Sequence, residues 1–127
     1  MPMLPVSWGE VFDKLTILQI KSVKIKDSAK LVNIMREKAE IETVAAMIAN
    51  PPEGLTPLID QLRAVNTELW DIEDGKRDCE RRQCFDEAFI QLARQVYIKN
   101  DRRAAIKKDI NTILGSVLSE EKSYAAY

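Results

Sequence analysis

Apolar positions along the chain recur three and four residues apart over four long stretches, the period of an α-helix packed by one face. In the first stretch, SWGEVFDKLTILQIKSVKI, Val11, Leu15, Leu18 and Ile25 share one stripe. Phe12, Ile20 and Val23 widen it past half the circumference. A helix that apolar is buried on several sides, either at the centre of a bundle or in an interface between subunits. Ser7, followed three residues later by Glu10, has the capping-box pattern, so helix 1 is predicted from Ser7 to about Ile25.

Asp27 or Ser28 caps a second helix that reaches about Ala49, with Leu31, Ile34, Lys38, Ile41, Ala45 and Ile48 along its seam. Asn50-Pro51-Pro52-Glu53-Gly54 stops it. Thr56 before Pro57 reads as an N-cap with proline at the first helical position. Helix 3 then carries Leu58, Leu62, Val65, Leu69, Ile72, Lys76 and Cys79 inward and ends near Arg82. Asp86 caps helix 4, whose buried side holds Phe89, Leu92, Val96, Ile110 and Leu114 before Gly115 stops it. It reads as one helix, although Asn100-Asp101 offers a place to restart.

Four amphipathic helices joined by short connections predict an all-α fold, a bundle of about four long antiparallel helices. The turns on both sides of helix 2 are short enough to make its sequence neighbours antiparallel to it. The tail SVLSEEKSYAAY is too polar to fold alone and is expected to pack back on the bundle. Residues 1–127 form one domain without an internal repeat.

Composition narrows the function more than it names it. Nineteen basic residues nearly cancel twenty acidic ones, so no global basic field draws in nucleic acid. Histidine is absent, which removes the commonest general base and the commonest transition-metal ligand together. Cys79 and Cys84 have no further Cys or His to complete a zinc shell and read as reduced thiols. The opening MPMLPVSW lacks the basic and apolar regions of a signal peptide, and no run is long enough to cross a membrane. The expected location is the cytoplasm. Trp8 and Trp70 read as core or interface anchors. No phosphate-binding Gly-rich loop, nucleophile elbow or Ser/Lys dyad is present, so no catalytic residue and no cofactor is assigned.

One anomaly stands out on helix 4. Asn100, Arg103 and Lys107 fall within roughly 40° of the centre of its apolar stripe. Charges there need partners or a wet edge, because burying an unpaired charge is prohibitive. Arg103 and Lys107, one turn apart, are suited to hold a phosphate or carboxylate jointly, with Asn100 adding a directional hydrogen bond. The plainer reading is internal pairing with Glu10 and Asp13 of helix 1, or with Glu120 and Glu121 of the tail. Glu10, Asp13, Asn100, Arg103 and Lys107 are therefore the candidate ligand-binding residues. The wider basic run of Lys99, Arg102, Arg103, Lys107 and Lys108 scatters around the helix with no aromatic platform, which argues against nucleic-acid or membrane-surface binding.

Glu37 with Glu40, and Glu68 with Asp71, form ExxE and ExxD pairs on consecutive helices. This is similar to the magnesium site of all-helical nucleoside-triphosphate pyrophosphohydrolases. Glu40 and Asp71, however, lie roughly 130–140° from the apolar centres of their helices, so a solvated face is the simpler expectation.

The segments PVSWGEVFDKLTILQIK, VNTELWDIED and NDRRAAIKKDINTILGS…EEKSYAAY resemble a small uncharacterised bacterial and phage family of all-helical domains. The resemblance covers nearly the whole chain. It implies a setting beside glycosyltransferase and surface-polysaccharide genes, and no reaction. Three functional readings follow. The first is a non-enzymatic, homo-oligomeric helical binding or accessory protein, most simply a dimer, serving polysaccharide assembly. The second is a small-molecule or anion-binding protein or enzyme with a polar pocket between helices 1 and 4. The third is the magnesium-dependent pyrophosphohydrolase.

Overall fold

The computed structural model describes residues 1–116, 118 and 121–127. The chain folds as four α-helices in sequence order: α1 (Trp8–Lys24), α2 (Ser28–Ala45), α3 (Leu55–Arg82) and α4 (Glu87–Leu114). No described residue lies in a β-strand. The all-α bundle expected from the periodicity is the fold observed.

Local chemistry explains most of the boundaries. Ser7 caps α1, its hydroxyl accepting from the Glu10 amide at 3.3 Å. Asp27 caps α2 by accepting from the Lys30 amide, and Asp86 caps α4 by accepting from the Ala88 amide. α4 runs through Asn100-Asp101 without a break and ends at Gly115 in the left-handed conformation, φ 64°. Gln83 ends α3 in the same conformation at φ 51°, a role more often given to glycine.

Two expected boundaries are corrected. α2 stops at Ala45, not Ala49, because Met47 and Ile48 donate to carbonyls three residues back, a tighter winding that unwinds the helix before the Pro51-Pro52 pair. α3 begins at Leu55 with Gly54 as its cap, so Thr56 is not the N-cap. The Leu55 amide bonds to the Pro52 carbonyl at 3.0 Å, which seats the Leu55 side chain in the core at 4% exposure. Burying a leucine outweighs the one hydrogen bond a threonine cap would add. Pro57 still sits in the first turn, where its missing N–H costs nothing.

α1 occupies the centre and packs against α2, α3 and α4, while α3 and α4 pair along their lengths. Its broad apolar arc is thereby used within the chain, with Val11, Phe12, Leu15, Leu18 and Ile20 all buried. Val23 departs from the expectation and is 67% exposed. The core joins Phe12 and Leu15 to Leu55, Leu62 and Val65 of α3 and to Ile106 and Ile110 of α4. Trp8 flanks this cluster with its ring 6.3 Å from that of Phe12.

α2 is peripheral. Its backbone lies along α1 and does not approach α3, so the connection from α2 to α3 turns the chain away and does not form the expected antiparallel pair. Of its seam only Ile34 is fully buried. α3 and α4, each 28 residues and about 42 Å long, extend beyond the 17-residue α1 as a two-helix arm. The tail returns to this arm, where the Tyr127 ring packs 5.1 Å from that of Tyr97.

Candidate functional site

α1 and α4 run antiparallel and cross closely at their N- and C-terminal ends respectively. Gly9 permits this, since a Cβ there would lie 2.6 Å from the Lys107 carbonyl oxygen and 2.9 Å from Asn111 Oδ1. The Gly9 amide donates instead to Asn111 Oδ1 at 2.7 Å, and the Trp8 amide donates to Ser116 Oγ at 2.9 Å. The open amides of the first turn of α1 are thus satisfied by the end of α4, which locks the register of the two helices.

That register brings all five candidate residues together. Asp13, 4% exposed, accepts from Arg103 Nε at 2.9 Å and from the terminal Nη2 at 2.5 Å, a two-pronged ion pair. Asn100 accepts from Arg103 Nη1 at 3.4 Å. Lys107, 8% exposed, donates to Glu10 Oε1 at 2.6 Å and holds its ammonium 3.8 Å from Asp13 Oδ2. The helix-1 counter-ions foreseen from the sequence are therefore engaged. Of the tail acids foreseen beside them, Glu120 lies outside the described residues.

α3 adds a component the sequence reading missed. Asn66, 5% exposed, donates through Nδ2 to Asp13 Oδ1 and to Thr16 Oγ1, both at 3.0 Å. Thr16, fully buried, donates its hydroxyl to the Asp13 backbone carbonyl at 3.0 Å. One turn of α1 is in this way tied to α3 and α4 at once. Asn66 is four residues after Leu62 and one after Val65, so a polar residue on the inward face of helix 3 was a visible signal. Burial alone would raise the Asp13 carboxyl. Hydrogen bonds from Arg103 and Asn66, with the charges of Arg103 and Lys107, outweigh it and hold the group below the ordinary aspartate value.

Beside this network lies a polar cavity of about 140 Å³, lined by Glu10, Asp13, Asn100, Arg103, Ala104, Lys107 and Lys122 of the tail. Among the described residues its walls carry three cationic side chains and two carboxylates. The Glu10 side chain is 45% exposed.

The acidic pairs do not form a shared ligand set. Glu37 pairs with Lys14 at 3.0 Å, Glu68 with Lys99 at 2.6 Å and Asp71 with Lys24 at 3.4 Å, while Glu40 is exposed. The backbones of α2 and α3, the helices that carry the two pairs, do not approach each other. Among the described residues no three Cys, Asp or Glu side chains converge as a metal site. Cys79 is buried and Cys84 half-buried, both as free thiols. Among the described residues no helix is long and apolar enough to cross a membrane.

Fold and site together define an all-helical module with a charged cavity at the junction of its central helix and its last helix. The chain belongs to a family of unknown function, DUF6165, whose model matches residues 3–127. No curated protein and no solved structure matches it.

Proposed function

We propose that this is a binding protein that takes the anionic group of a small ligand into the cavity between α1 and α4. The observation that carries this reading is the division of labour among the charges. Asp13 anchors Arg103 from beneath, whereas the outer side of Lys107 is held by Glu10, a carboxylate nearly half in solvent. Glu10 is the exposed partner of this pair, and Lys107 keeps Asp13 at 3.8 Å, so Glu10 can give way without leaving the buried ammonium uncompensated. An incoming phosphate or carboxylate replaces Glu10 at Lys107 and reaches Arg103 one turn away. At about 30 Å³ per water, the cavity holds roughly four or five waters, room for one such group.

Titrating inorganic phosphate into the ¹⁵N-labelled protein tests this. The expected result is a saturable shift of the Asn100, Arg103 and Lys107 amides, with several-fold tighter binding in Glu10→Gln and loss of binding in Lys107→Gln. Absence of any shift at up to about 10 mM phosphate, a level that detects interactions weaker than 4 kcal/mol, overturns the proposal. So does a Glu10→Gln variant that binds no tighter than the wild type.

A second reading, self-association through a second copy of the chain, is favoured by α2. A helix gains most of its stability from packing, and this one fully buries only Ile34, with Ile41 and Ala45 partly buried on the core, while Val32 and Met35 stay 58% and 49% exposed. Light scattering after size-exclusion chromatography is expected to give a dimer mass if a second copy covers α2. A monomer at micromolar concentration removes this reading. The width of the α1 arc no longer supports it, since α2, α3 and α4 cover that arc.

A further inference from the structure

The anion cavity is too small to be a whole binding site. Sites for small molecules and cofactors enclose about 300–1,000 Å³, and this one offers about 140 Å³. It continues, however, along α4. Asn100 and Lys122 line it and also line a neighbouring groove of about 360 Å³ shared with Val96, Tyr97, Asp101 and Tyr124. That groove opens in turn, through Tyr97, Asp101 and the tail, onto a space of about 500 Å³ that ends at Tyr127.

The chemistry changes along this path. At the Lys107 end stand Arg103 and Lys107, while Lys122 lines the whole path and holds its ammonium 5.9 Å from the centre of the Tyr124 ring. At the far end stand three tyrosine rings, with Tyr97 45%, Tyr124 82% and Tyr127 75% exposed. Exposed aromatic faces offer stacking surface, and the tail sets the Tyr127 ring against that of Tyr97. Between them lies the carboxylate of Asp101, which hydrogen-bonds Tyr127 and pushes its phenol up from the ordinary value. A carboxylate accepts hydrogen bonds and repels anions, so it selects hydroxyl or amino groups at that end and turns a phosphate toward the other. Six residues of helix separate Tyr97 from Arg103, a rise of about 9 Å. That spans a phosphate joined to one or two rings, and not a polymer.

Resting on the anion-binding reading above, we infer that the ligand is a phosphorylated ring compound whose phosphate enters the Arg103–Lys107 cavity while its ring lies in the tyrosine groove, with the tail as the groove's outer wall. A nucleotide and a sugar phosphate share this chemistry. The test compares inorganic phosphate, ribose 5-phosphate and adenosine monophosphate by calorimetry on the full chain, with Tyr97→Ala and a variant lacking residues 124–127.

Stacking of one ring on an aromatic side chain is worth about 1–3 kcal/mol. At least one ring compound is therefore expected to bind roughly 5- to 150-fold more tightly than phosphate. Both variants should lose that gain and keep phosphate binding unchanged. A gain shared by both ring compounds assigns the stacking to the sugar, and a gain for adenosine monophosphate alone assigns it to the base. Phosphate binding without any gain overturns this inference and leaves the anion site standing. A gain that survives both variants also overturns it. Failure of phosphate itself to bind removes the anion site and this inference together.

Discussion

Arg103→Met tests whether the polar network carries the fold as well as the cavity. The change keeps a long apolar stem but removes both donors to Asp13, whose remaining partners are the Asn66 amide at 3.0 Å and the Lys107 ammonium at 3.8 Å. Removing one partner of a buried ion pair typically costs about 3–5 kcal/mol. Here Lys107 supplies part of the lost charge, and Arg103 is itself 29% exposed, so the expected loss is near the lower end, about 3 kcal/mol. For a chain of this size that lowers the melting temperature by about 10 °C.

Urea unfolding followed by far-ultraviolet circular dichroism measures the effect, and pH identifies its cause. In the wild type the Asp13 carboxyl is held below its unfolded value. Its contribution is therefore full above the ordinary aspartate value of about 3.9, and it is lost as pH falls through the lower folded value. Without Arg103, burial is opposed only by Asn66 and Lys107, so the carboxyl rises and its protonation relieves the variant first. The stability gap between wild type and variant should narrow from pH 7 to about pH 4, and Asp13→Asn added to Arg103→Met should recover part of the loss. A deficit under about 1 kcal/mol at pH 7, or a gap that stays constant with pH, would refute this account of the site.

Substitutions at four further positions probe the helix packing and the polar network. Gly9→Ala forces a methyl against the Lys107 carbonyl and should cost about 1–3 kcal/mol, read as a lower melting temperature. Gly75→Ala meets only the movable end of Leu92 at 3.1 Å and should leave stability unchanged or raise it by up to about 1 kcal/mol. Asn66→Asp places a second carboxylate against Asp13. It should destabilise more than Asn66→Ala at neutral pH and recover towards pH 4, as denaturation midpoints at the two pH values will show. Asn111→Ala removes the acceptor for the Gly9 amide and should cost about 1 kcal/mol by urea titration, with far-ultraviolet circular dichroism of the native state unchanged.

Sequence period was enough to place α1 and α4 almost to the residue, because each is flanked by a side-chain cap and a clear stop. It failed at Thr56, where a tertiary contact of Leu55 overrode a local capping preference. It failed again at residues 46–49, where the apolar repeat continues after the helix has ended: Ile48 still packs on the core from an irregular turn. The site was legible in part for the same reason. Arg103 and Lys107 violate the stripe of their own helix, and the partners Glu10 and Asp13 were nearby in type and position. Asn66 was missed because a buried amide makes no demand on charge balance. The contribution of Lys122 was beyond reach, since nothing in a polar tail fixes where it returns.

Arg103 can serve the fold and a ligand at once, and the two roles reinforce each other. A long guanidinium side chain on an open surface must lose its rotamer freedom when it binds an anion, a cost of about 0.5–1.5 kcal/mol for each side chain so immobilised. Asp13 and Asn100 already hold this one, and the packing of α1 on α4 holds them, so the cost is met on folding. Structural and binding roles then separate at Glu10. Glu10 is the exposed partner of Lys107, and the buried Lys107 ammonium keeps the Asp13 carboxylate at 3.8 Å when Glu10 is neutralised, so losing this pair is expected to cost about 1 kcal/mol. Glu10→Gln should therefore change affinity for phosphate while barely moving the unfolding midpoint, whereas Arg103→Met should move both. A network that served packing alone would leave affinity unaltered in the first variant.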